Sequence, residues 1–152
     1  MNSEANQFPS IQGQNLNKVK KTVPDDFVER DLIVILAFQQ WHQQLVDESI
    51  NLLEKKGMDE AFNIIEVPTL GESSKLQQMY LDGVMRSAIR NDEIRNRTIT
   101  VYLNKSILKD SLDIESESTI YWFVVGEGTK DILVKGSGPI VEEDIKRIKN
   151  LS

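Results

Sequence analysis

The chain has 152 residues, 39% hydrophobic and 28% charged, with 24 Asp plus Glu against 18 Lys plus Arg and a net charge of −6. This composition suits one domain that folds in water, and its negative field disfavours nucleic-acid backbones and anionic lipid as partners. There is no cysteine, which excludes a disulfide, a thiolate nucleophile, an iron–sulfur cluster and a cysteine-ligated zinc site. No apolar run approaches the ~20 residues that span a bilayer, and residues 1–10 lack the basic-then-apolar order of an export signal. The expectation is a cytoplasmic protein without an anchor.

Residues 1–23 are rich in Asn, Gln and Lys, with Phe8 and Ile11 the only bulky apolar residues before Leu16. So little apolar surface predicts a flexible tail, leaving the folded domain at 24–152. After Pro24, Asp25 and Asp26, the continuous apolar run 31–38 predicts a strand buried on both faces. From Trp41 the spacing becomes helical, through Leu45, Val46, Ile50, Leu52 and Leu53 to a stop at Gly57. Residues 62–67 predict a second strand, ended by Pro68 and parallel to the first, because the intervening helix is a crossover. Ser73 or Ser74 then caps a helix bearing Leu76, Met79, Tyr80, Val84 and Ala88.

A third strand is predicted at 98–103, a short helix at 106–112 and a fourth strand at 119–125. Gly126-Glu127-Gly128-Thr129-Lys130 reads as a hairpin loop to an antiparallel fifth strand at 131–135. Gly136-Ser137-Gly138-Pro139 precedes a last helix with Val141, Ile145 and Ile148. The expected product is a mixed five-stranded α/β sheet with helices on both faces.

This order resembles the thioredoxin-like superfamily, and most closely its peroxiredoxin-like arrangement, over residues 27–150. The most specific likeness is Tyr121-Trp122-Phe123-Val124-Val125-Gly126-Glu127-Gly128 with Ile132-Leu133-Val134-Lys135-Gly136, Gly138-Pro139 and Glu142-Glu143-Asp144. It is similar to that superfamily's closing strand, glycine-turned hairpin and helix. The stretches around Trp41 and around Tyr80-Leu81-Asp82-Gly83-Val84-Met85-Arg86 are similar to an uncharacterised, cysteine-less bacterial and archaeal group. A more distant likeness is to the thioredoxin-fold assembly factor of the mitochondrial ATP synthase. The resemblance implies a thioredoxin-like three-layer sandwich. Catalytic members start the first helix with Cys-x-x-Cys, where the helix dipole lowers a thiol pKa. Here Trp41-His42-Gln43-Gln44 stands in that region, and Thr119 and Ile120 stand where the superfamily's cis-proline would be.

His42 is the sole histidine and suits proton transfer near neutral pH. No nucleophile or orienting carboxylate adjoins it in sequence, so no catalytic residue is assigned. Gln39, Gln40, Gln43 and Gln44 surround Trp41 with neutral donors and acceptors suited to a polar ligand, and Trp41 is either a partner anchor or core. Arg86, Arg90, Arg95 and Arg97 form the local basic concentration, read as an anion site or as a surface neutralised by Asp82, Asp92 and Glu93. The acidic tracts 113–117 and 142–144 lack calcium-loop spacing, and no phosphate-binding glycine motif follows a strand, so neither metal nor cofactor is expected.

The candidate binding residues are therefore Gln40, Trp41, His42, Gln43, Arg86 and Arg97. The leading expectation is a redox-inactive binding or assembly module for a protein partner or a second copy. The alternatives are a non-redox enzyme using His42 with an arginine-held anion, and self-association through the edge of the 98–103 strand or an exposed helix face.

Overall fold

The computed structural model describes residues 6–89 and 91–151. At its centre is a strand, β3 (Leu32–Ala37), buried at every position. Two strands precede it, β1 (Ile11–Asn15) and β2 (Lys20–Val23), and four follow: β4 (Asn63–Gly71), β5 (Ile99–Leu103), β6 (Tyr121–Val125) and β7 (Ile132–Ser137). The helices are α1 (His42–Lys55), α2 (Met58–Ala61), α3 (Lys75–Ala88), α4 (Asp92–Arg97), α5 (Lys105–Leu112) and α6 (Glu142–Lys149).

The apolar run behaves as its composition requires. Its odd and even residues enter two separate cores, so neither face needs polar side chains. Leu32, Val34 and Leu36 pack with Ile65, Val67, Phe123 and the α5 residues Leu108 and Leu112. Ile33 and Ile35 pack with Val46, Ile50 and Leu53 of α1 and with Ile145 and Ile148 of α6. Each such side chain contributes ~1.5–3 kcal/mol through removal from water. β3 pairs parallel to β4 and antiparallel to β6, and β6 pairs antiparallel to β7. A buried Ser49 on α1 ties the layers: its hydroxyl donates to the Leu45 carbonyl and accepts from the Ile140 amide, 2.9 Å each.

The sheet has seven strands rather than the expected five, in the order β2-β1-β5-β4-β3-β6-β7. The two additional strands come from the segment read as a flexible tail. Phe8, Ile11, Leu16 and Val23 are few, yet all four are buried. They supply too little surface to fold alone, but Phe8, Ile11 and Val23 join the core formed with β3, β4, β5 and β6. The β1–β2 turn closes around Asn15, whose side-chain oxygen accepts from the amides of Asn17 and Val19 at 2.9 and 3.0 Å. Gly13 permits the close approach of β1 to β5, since a Cβ there would lie 2.5 Å from the Thr100 carbonyl oxygen.

Two other expectations change. β4 runs through Pro68 to Gly71. Pro68 forms the last pair with β3, where a missing amide forfeits only a terminal ladder bond, and pairing with β5 continues at Thr69. The 98–103 strand, proposed as an interface edge, becomes β5 and lies inside the strand order, between β4 and β1, the latter pairing with it at Ile99 and Thr100.

Candidate functional site

The chain leaves β3 through Phe38 and Gln39 and turns into α1 with Trp41 at the N-cap. Trp41 has no capping oxygen. Instead the His42 ring folds back, and its Nδ1 accepts from the main-chain amides of Phe38 at 3.0 Å and Gln39 at 3.3 Å. These two donors fix the neutral ring with its hydrogen on Nε2. His42 is 0% exposed, and Nε2 has no hydrogen-bond partner among the described residues. Burial pushes its pKa below the ordinary histidine value, opposed by the Ser118 main chain and the Glu117 charge. The imidazole therefore serves as the local cap of the β3–α1 turn. Its accepting nitrogen is already occupied.

Trp41 points the other way. It is 59% exposed, its ring stands edge-on to His42 at 4.5 Å between centroids, and Gln39, Gln40 and Gln44 beside it are exposed. Of the two readings of Trp41, partner anchor or core, the geometry removes core.

Gln43 turns inward from the same helix. Its amide nitrogen donates to Asp47 at 2.9 Å and to Glu66 at 3.1 Å. Glu66 is buried on β4, and burial raises its pKa above the usual carboxylate value, with the Gln43 hydrogen bond and the Arg97 charge opposing. Arg97 pairs with Glu54 at 3.1 Å and lies 3.9 Å from the other Glu66 oxygen. The fold thus brings Gln43 and Arg97 together on a carboxylate that the sequence analysis missed. Its signal was the lone charge, between Ile65 and Val67, in an otherwise uncharged strand.

Arg86 sits elsewhere, lining a cavity of about 540 Å³ beside α3 with Arg95 and Met79. Arg95 donates to the main-chain carbonyls of Arg86 and Ile89. Asp82 and Asp92, expected to neutralise the arginines, bond Tyr102 and Asn17 instead. Arg90 lies outside the described residues. Among the described residues no helix is long and apolar enough to cross a membrane, and no three His, Cys, Asp or Glu side chains cluster as metal ligands.

The β3-α1-β4 crossover beside the β6–β7 hairpin and α6 matches solved structures over almost the whole chain. A pneumococcal exposed lipoprotein thioredoxin, Etrx1 from Streptococcus pneumoniae strain TIGR4, superposes with a TM-score of 0.63 at 7% identity, covering 94% of this chain and 100% of that one. The chain has a thioredoxin-like fold. A putative thiol:disulfide interchange protein DsbE from Chlorobium tepidum gives 0.59 at 9% identity, covering 97% and 96%. AhpC of Mycobacterium tuberculosis gives 0.57 at 16%, covering 99% and 93%. At these identities the likeness is one of fold. No protein-family model matches the sequence, and no curated protein does. Where neighbours are named for thiol–disulfide exchange, this thioredoxin-like chain has no cysteine.

Proposed function

We propose that the protein is a redox-inactive recognition module that docks a protein partner at the start of α1. The observation that carries this reading is the division of labour between neighbouring residues. His42 is buried and holds the turn, while Trp41 is presented to solvent on the rigid end of a helix. An exposed indole at low conformational-entropy cost is a typical interface anchor, and the amides of Gln40 and Gln44 suit an uncharged, main-chain-like partner surface. Glu66, braced by Gln43 and Arg97, fixes α1 against β4 rather than contacting the partner.

The enzymatic alternative has less to work with, because Arg97 is ion-paired and the His42 Nδ1 lone pair is taken. The experiment is quantitative affinity enrichment of partners from native cells, comparing the wild type with Trp41→Ala and with Leu76→Ala on exposed α3. Selective loss of the same partners with Trp41→Ala is expected. Equal recovery by all three forms places the docking surface elsewhere.

A further inference from the structure

The sheet face beneath α3 is polar where a helix would ordinarily find apolar cover. Strand alternation puts Gln12 and Gln14 of β1, Lys20 and Thr22 of β2, and Thr100 and Tyr102 of β5 on the face opposite to Ile11, Val23, Ile99 and Val101, which belong to the core. α3 lies over this platform without burying its own apolar row. Leu76, Met79, Tyr80 and Val84 are exposed, although their spacing predicted an apolar helix face. The contact to the sheet is made by the Tyr102 hydroxyl, 2.9 Å from Asp82 and 3.3 Å from the Gln78 carbonyl.

Between helix and sheet two compartments remain, of about 420 and 540 Å³, sharing Gln14 and Asp82. Each falls in the size range of small-molecule sites. Two polar groups of the lining residues are not consumed by the fold. Thr100, a residue 2% exposed, is part of the lining of the first compartment, and its buried hydroxyl has no hydrogen-bond partner among the described residues. Arg86 Nε, in the second, is likewise buried without a partner among the described residues. A buried hydroxyl left unpaired costs stability, so its retention points to a group that pairs with it when bound. The charge is also local: Lys18, Lys20, Lys21, Arg86 and Arg95 line the compartments against the one carboxylate of Asp82, in a chain of net charge −6.

We propose that this groove binds a small hydroxyl-rich phosphate ester of the sugar-phosphate class, its hydroxyls on Thr100 and the Gln12–Gln14 side and its phosphate at Arg86. Amides and hydroxyls recognise an uncharged polyhydroxyl body by directional hydrogen bonds, and a guanidinium matches a phosphate. The site is separate from the Trp41 surface and does not depend on it.

The test is calorimetric titration of the full chain with ribose 5-phosphate, and with ribose and inorganic phosphate as the two halves. Ribose 5-phosphate should bind with a Kd of about 1 mM or tighter, and either half at least ~10-fold more weakly. Arg86→Ala should weaken binding by ~10-fold or more. Thr100→Val should weaken it by ~5-fold while leaving the unfolding temperature unchanged or higher, because the variant removes an unpaired hydroxyl. A purely structural Thr100 would show the stability change without the binding change, and that result overturns the proposal. So does the absence of saturable binding by ribose 5-phosphate, or equal binding by the Arg86→Ala protein.

Discussion

Replacing Phe8 with alanine tests whether the N-terminal segment is part of the folded unit. Phe8 is 1% exposed, its ring meets Phe123 edge-on at 5.5 Å, and its amide donates to the Lys130 carbonyl at 2.8 Å. The substitution keeps that main-chain bond and removes the ring from the core beside β6. Truncating a buried phenylalanine to alanine costs about 3–5 kcal/mol, the lost aromatic pair included. That is a large share of the 5–15 kcal/mol, roughly, by which domains are stable. At ~2–4 °C per kcal/mol for a chain of this size, the unfolding temperature should drop by about 6–20 °C. Thermal and urea unfolding followed by circular dichroism would measure it, with Leu76→Ala, at a residue 80% exposed, as the control expected within ~0.5 kcal/mol of wild type. A Phe8→Ala change as small as the control's would refute the reasoning, since a free tail contributes nothing to unfolding.

Two predictions concern titration. The folded pKa of His42 lies below its unfolded value near 6.5, so its contribution is complete above that pH and is lost as pH falls through the folded value. The stability gap between wild type and His42→Gln should therefore be widest at about pH 7.5 and narrow towards about pH 5.5; a constant gap contradicts the buried neutral ring. Glu66 has the opposite sign: its folded pKa is raised, so folding favours the protonated form and wild-type stability declines as pH rises from the usual carboxylate value through the folded one. Glu66→Gln should accordingly gain on wild type between about pH 4.5 and 7.5 in urea titrations, and parallel curves for the two proteins would remove the desolvation argument.

Much of the central architecture was legible in the sequence because it depends on local pattern. The 31–38 run needs cover on both faces whatever provides it, the helix that follows enforces a parallel crossover, and Gly126-Glu127-Gly128 turns a hairpin. Gly136 has a reason only the register supplies: it sits opposite Trp122, whose ring occupies the space a Cβ would enter at 2.4 Å. The candidate site was half legible. Trp41 and His42 were found by residue type, but which of them faces solvent was not, since adjacent residues at a helix start diverge according to the turn that precedes them.

The absence of thiol chemistry, the neighbourhood of Trp41 and the order of strands and longer helices from residue 31 onward were legible in the sequence by itself, whereas the short helices α2 and α4 were not. Only the tertiary structure decided that the N-terminal residues complete the sheet, that Glu66 lies buried between Gln43 and Arg97, and that the apolar row of α3 is left uncovered. The reason is common to all three. Periodicity states what a segment is able to bury, whereas burial itself belongs to pairs of surfaces: for the N-terminal strands and Glu66 the second surface comes from residues far away in the chain, and for the α3 row none among the described residues covers it.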